Sequence, residues 1–154
     1  MNTYIPKYFK LSELLHSDTA IANDIENFPT WPIIEKLRIL AARLDLYRNE
    51  IGESIFVSSG YRCPILNVMV GGSSTSHHAK GDAVDIQFRK RDKKSAEELF
   101  NLIKEINEKY NLDIDQMFLE HNTKTGSWWV HLGLNVDNGG RDMRNQYGSI
   151  TVKK

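Results

Sequence analysis

The sequence predicts an α+β fold, a single domain in which a small antiparallel sheet packs against helices. Three observations lead there. Apolar residues recur at helical spacing in two long segments, β-prone runs are mixed among them, and the last two runs flank a turn-rich stretch suited to a hairpin. A doubly wound parallel sheet would instead alternate strand and helix throughout. At 154 residues and 40% hydrophobic content the chain can bury one ordinary core, so residues 1–154 are read as one domain.

Phe9, Leu11, Leu14 and Leu15 mark one short opening helix, with Ser12 or Ser17 available as a cap. Pro29 then disfavours a helical Phe28, and Thr30 is placed to cap the next helix. Ile33, Leu37, Leu40, Leu44 and Tyr47 form the stripe of that amphipathic helix, which ends near Gly52, and Pro32 falls in its first turn, where a missing N–H costs little. Ser54–Ser58 reads as a strand closed by Ser59 and Gly60, and a brief helix from Pro64 to Val70 leads into a loop at Gly71–Ser74. Asp82–Phe88 is a second strand. Ser95 and Glu98 suggest a capping box for a second long helix, whose stripe is Leu99, Leu102, Ile103, Ile106 and Tyr110. Met117–Glu120 and Trp129–Leu132 form a hairpin across Asn122–Ser127. Beyond Asp137 the tail, with Gly139 and Gly140, packs loosely or supplies one edge strand.

Lysine and arginine together number 20, as do aspartate and glutamate, so no net charge draws the chain to nucleic acid or an anionic membrane. The basic run Arg89–Lys94, interrupted by Asp92, reads as a solvated turn. Cys63 has no partner for an internal disulfide and no base beside it, so it is read as a small buried residue. The N-terminus lacks a basic start followed by an apolar run, and no later segment is long enough to span a bilayer. A soluble monomer made in the cytoplasm is therefore expected.

The chemistry centres on Asp85. Ala83 and Asp85 share one face of their strand, and Ala83 is small enough to leave room there for an ion. Gly81 permits a sharp turn that brings His78 back over that face, and His131 adds an imidazole from the hairpin. Two imidazoles and one carboxylate leave a fourth tetrahedral position for water, the pattern of a catalytic zinc. Spacing alone leaves another reading equally open, ordinary surface histidines beside a strand-end aspartate, because no His-x-x-x-His pair occurs.

Ser76, His78, Gly81, Ala83 and Asp85 match a Ser-x-His-x-x-Gly-x-Ala-x-Asp signature, and Trp129-Val130-His131 matches a second histidine strand. In these residues the sequence resembles the M15 zinc peptidases of the D-alanyl-D-alanine carboxypeptidase type, in their small phage and bacterial branch. Ser58–Arg62, Asn67 and Val70–Gly72 resemble the segment that precedes the signature, so the likeness spans about residues 9–133. It implies the fold shared by DD-peptidases and Hedgehog domains. It also implies one zinc ion on His78, Asp85 and His131, the signature spacing selecting His78 over His77. Arg62 is implied to contact substrate, including a terminal carboxylate, the alternative being a structural salt bridge; Ser76 and Gln116 are expected to bind substrate beside it.

One departure concerns the general base. Several members place a glutamate three residues before the last histidine ligand, where this chain has Trp128. Glu120 is the substitute, in a Gln116-to-Glu120 segment like that of similar members. If Glu120 pairs with Trp129, its carboxylate shares the face of His131; a one-residue slip would put His121 there instead. Of the neighbours Trp128 and Trp129, at least one is expected in the core. Arg141 and Arg144 either close over the site or are solvated.

The resemblance implies zinc-dependent hydrolysis of a peptide bond in peptidoglycan stem peptides. The enzyme would be a D-Ala-D-Ala carboxypeptidase or a cell-wall endopeptidase such as a phage or prophage endolysin, acting at the wall after release. Two other readings are a zinc-bearing binding module without turnover and a metal-free interaction surface.

Overall fold

The computed structural model describes residues 5–137 and 143–152. Five α-helices, one 3-10 helix and five strands follow in mixed order among them, an α+β arrangement. The opening segment is two helices rather than the one expected: α1 (Leu11–Leu15) and α2 (Asp18–Ala22). His16 is extended and separates them, and the Ser17 hydroxyl accepts the Ala20 N–H to start α2. Five-residue helices are too short to carry a periodic stripe, which is why the break left no signal.

The long helix α3 (Trp31–Ile51) buries Leu37, Leu40, Leu44 and Tyr47. Thr30 holds the cap position without a side-chain capping bond, and Gly52 ends the helix in the left-handed region at φ 73°. α5 (Lys93–Tyr110) buries Ala96, Leu99, Ile103 and Ile106. Its cap is Asp92, not Ser95: Asp92 Oδ1 accepts the Ser95 N–H at 2.9 Å. The aspartate read as a mere interruption of the basic run is thus the helix start, while Arg89 to Lys94 are exposed as expected. The Tyr47 hydroxyl donates to Asn107 Oδ1 at 2.7 Å and ties α3 to α5. Cys63 is buried, directly before the short helix α4 (Pro64–Met69).

The strands are β1 (Phe56–Ser59), β2 (Ala83–Gln87), β3 (Gln116–Asn122), β4 (Trp128–Gly133) and β5 (Gln146–Val152), in the sheet order β1-β2-β4-β3-β5. All pairs are antiparallel except β3 with β5, which is parallel, so the sheet is not wholly antiparallel as expected. The tail supplies the edge strand. Side chains alternate across the pleat. Val84, Ile86, Met117, Val130 and Leu132 enter the core beneath the helices, and the opposite face carries Asp85, Phe118, Glu120, Trp129 and His131. Among the described residues no helix is long and apolar enough to cross a membrane.

A candidate metal centre and its cleft

The segment before β2 brings His78 to the sheet. Ser76 Oγ accepts the His78 N–H at 3.2 Å and starts the 3-10 helix His77–Lys80. Gly81 closes it at φ 74°, and a Cβ there would lie 2.7 Å from Ile33 Cγ2 on α3. Glycine is thus required twice over, by conformation and by space.

His78 is buried, with Nδ1 2.8 Å from the Gly60 carbonyl. A carbonyl only accepts, so Nδ1 carries the proton and Nε2 is the basic nitrogen. That Nε2 lies 3.3 Å from Asp85 Oδ1. Gly60 is itself pinned: the Tyr61 N–H donates to the Leu14 carbonyl at 2.8 Å, and a Cβ on Gly60 would collide with that carbonyl.

Register supplies the rest. Asp85 pairs with His131, which places His131 Nδ1 2.9 Å from Asp85 Oδ1. Phe118, opposite His131 on β3, stacks against its ring with 15° between the planes. The ligand atoms of His78, Asp85 and His131 all lie within 4.8 Å of one another, and among the described residues no other such group occurs. Bonds of about 2.0–2.2 Å in a tetrahedron put neighbouring donor atoms roughly 3.3–3.6 Å apart. The spacings to Asp85 come close to this, and a buried His–Asp–His set with an oriented imidazole suits zinc.

Electrostatics mark the same place. Burial lowers the pKa of His78 more than Asp85 raises it. At His131 burial also acts downward, but its hydrogen bond and charge interaction with Asp85 raise the value overall. Burial alone would push the Asp85 carboxyl up, yet its electrostatic interactions with the His78 and His131 imidazoles hold it low. Opposed shifts in one buried cluster are typical of functional sites.

A cleft of about 480 Å³ borders the cluster and is lined by Ser76, Gln116, Glu120 and His131, among others. Glu120 pairs with Trp129 in the register that puts its carboxylate on the His131 face, and Trp129 Nε1 donates to Glu120 Oε2 at 2.8 Å. His121 falls on the other face, stacked on Trp128 at 4.2 Å between ring centroids. Neither tryptophan is core, contrary to expectation: both are half-buried, Trp128 against His121 and Trp129 against Glu120.

Arg62 stands apart from this cleft. Its Nε donates to Ser59 Oγ at 3.1 Å and its Nη2 to Asp85 Oδ2 at 3.4 Å, and it lines a separate hollow with His16, Asp18 and Leu66. The ion pair named as the alternative is therefore present, and it anchors Asp85. Sequence reasoning missed a second assembly: buried Asp115 accepts from His77 Nε2 at 2.8 Å and from Arg144 Nη2 at 2.7 Å. Partners 38 and 29 residues away left no local signal. Arg141, considered together with Arg144, lies outside the described residues.

A family model described as Peptidase M15 matches residues 7–122, most of the chain, including His78, Asp85 and Glu120 but stopping short of β4 and His131. No curated protein matches the chain.

Proposed function

We propose that this chain, which belongs to the Peptidase M15 family, is a zinc-dependent peptidase that cleaves a peptide bond in cell-wall stem peptides, as a carboxypeptidase or an endopeptidase. The observation that carries this reading is the convergence of His78, Asp85 and His131 beside a cleft that also holds the Glu120 carboxylate. The wall substrate, and the setting of a phage or prophage lysis enzyme, rest on the sequence resemblance.

Bound zinc would polarise the scissile carbonyl and lower the pKa of a water towards neutrality. The chain's own groups do the rest. The Gly60 carbonyl fixes the His78 tautomer, so Nε2 is the nitrogen offered to the ion. Arg62 and its Ser59 contact brace Asp85 through Oδ2, leaving Oδ1 towards the imidazoles. Glu120 accepts the proton of the attacking water and returns it to the departing nitrogen as the C–O bond forms and the C–N bond breaks. The Trp129 indole N–H orients that carboxylate. Ser76 and Gln116, on the cleft wall, hold the amide groups of the peptide.

The test is product analysis by mass spectrometry. Zinc-loaded protein and its Glu120→Ala variant are incubated with purified peptidoglycan and with a stem peptide ending in D-Ala-D-Ala. Zinc-dependent loss of D-Ala, or a cut cross-bridge, is expected from the wild type and not from the variant. No cleavage of either substrate by protein carrying stoichiometric zinc would overturn the reading and leave a zinc-bearing binding module in its place.

A further inference from the structure

Among the described residues the cleft has two cations that this chemistry does not use, Lys80 and Arg144. Lys80 is exposed at the end of the 3-10 helix. Arg144 is 52% exposed and yet fixed. Its Nε donates to Asp115 Oδ1 at 2.9 Å and its Nη2 to Oδ2 at 2.7 Å, while its backbone N–H reaches Oδ1 at 3.3 Å. Asp115 is buried, and His77 Nε2 lies 2.8 Å from its Oδ2.

A guanidinium has five N–H donors in a rigid plane. Asp115 takes the edge formed by Nε and Nη2, so the edge formed by Nη1 and Nη2 retains the fork geometry that matches a second carboxylate. Because Asp115 already orders the side chain, a ligand does not have to immobilise it, which favours binding.

Resting on the peptidase reading, we propose that Arg144, assisted by Lys80, receives a carboxylate of the substrate peptide, so that peptides bearing a free acid near the scissile bond are preferred. That acid is either the chain terminus or the side chain of an acidic residue. A terminal acid makes the protein a carboxypeptidase, and a side-chain acid allows cleavage within a longer chain.

Three otherwise identical peptides separate these cases: one with both acids free, one with the terminus amidated, and one with the internal acid replaced by its amide. For the wild type one of the two amide changes is expected to lower kcat/KM by roughly ten-fold or more, the value of a charged hydrogen bond, and the peptide affected names the source. In Arg144→Gln the ratio should fall towards one. Each ratio is taken on a single preparation, so loss of folded or active protein cancels. Equal cleavage of all three peptides by the wild type, or an unchanged ratio in Arg144→Gln, overturns the proposal and leaves the peptidase reading standing. If nothing is cleaved, the peptidase reading fails by itself. Calorimetric titration of the zinc-loaded protein with the same peptides then decides: a preference for the acid that Arg144→Gln abolishes supports the receptor, and its absence overturns it.

Discussion

Asp85 and Asp115 are both buried, and each gathers histidine and arginine, yet they build different things. At Asp85 the imidazoles prevail: Oδ1 faces His78 and His131 at 3.3 and 2.9 Å, and Arg62 reaches only Oδ2 at 3.4 Å. At Asp115, Arg144 grips both oxygens and His77 adds a further contact. Arginine has donors and no acceptor, so a carboxylate wrapped in it has little electron density to offer a metal. Imidazole keeps a lone pair. The neighbours His77 and His78 thus take different places because of the company their aspartates keep, one in a clasp and one in a candidate ion site.

The sharpest way to break the comparison is Asp85→Ala. Zinc affinity measured by chelator competition should fall by more than the ~10–100-fold that an outer partner is worth, and peptidase activity should drop to background. Asp115→Asn should change zinc affinity by less than about ten-fold while costing about 1–3 kcal/mol of stability at neutral pH, read by urea denaturation of the zinc-free protein. Equal zinc loss in the two variants would erase the distinction.

Acidity sharpens it further. The hydrogen bond from Arg144 is the main reason the Asp115 carboxyl is held at a pKa of about 2, against an ordinary value of about 3.9. A folded-state pKa below the unfolded one stabilises the protein above the unfolded value, and this stabilisation is lost as pH falls through the folded one. Zinc-free wild type should therefore lose stability more steeply than Asp115→Asn between about pH 4 and 2. Parallel curves would show that the clasp contributes nothing.

The smallest expected effect is at Trp129→Phe, which keeps the ring and removes the N–H that reaches Glu120 at 2.8 Å. kcat should fall about ten-fold, as for a lost hydrogen bond to a charged group, with zinc affinity unchanged. An unaltered kcat would separate Trp129 from the proton step.

Much of this was legible in the residues. The stripes from Ile33 to Tyr47 and from Leu99 to Tyr110 are long enough to declare helices, and the strand alternation sent Asp85 to the face that register then matched with His131. The hairpin register put Glu120 opposite Trp129, one of the two placements left open. What escaped depends on distance or competition. Asp92 outcompetes Ser95 as a cap, although both are good capping residues in sequence. β5 runs parallel to β3 because it begins at the end of the sheet where β4 finishes, Gly133 and Gln146 both flanking Gln116, and seven residues alone give no direction. The Asp115 clasp spans three segments that only the fold brings together.

Helix α1 bears on the candidate ion site through Gly60. The Leu14 carbonyl takes the Tyr61 N–H and lies where no side chain at Gly60 could fit, and the Gly60 carbonyl in turn sets the His78 ring. A single helical turn is thereby a strut of the candidate metal centre. Coupling of this kind is reciprocal, so an ion seated on His78 would also clamp that turn. Fraying of α1 would then loosen the ion, and loss of the ion would loosen α1.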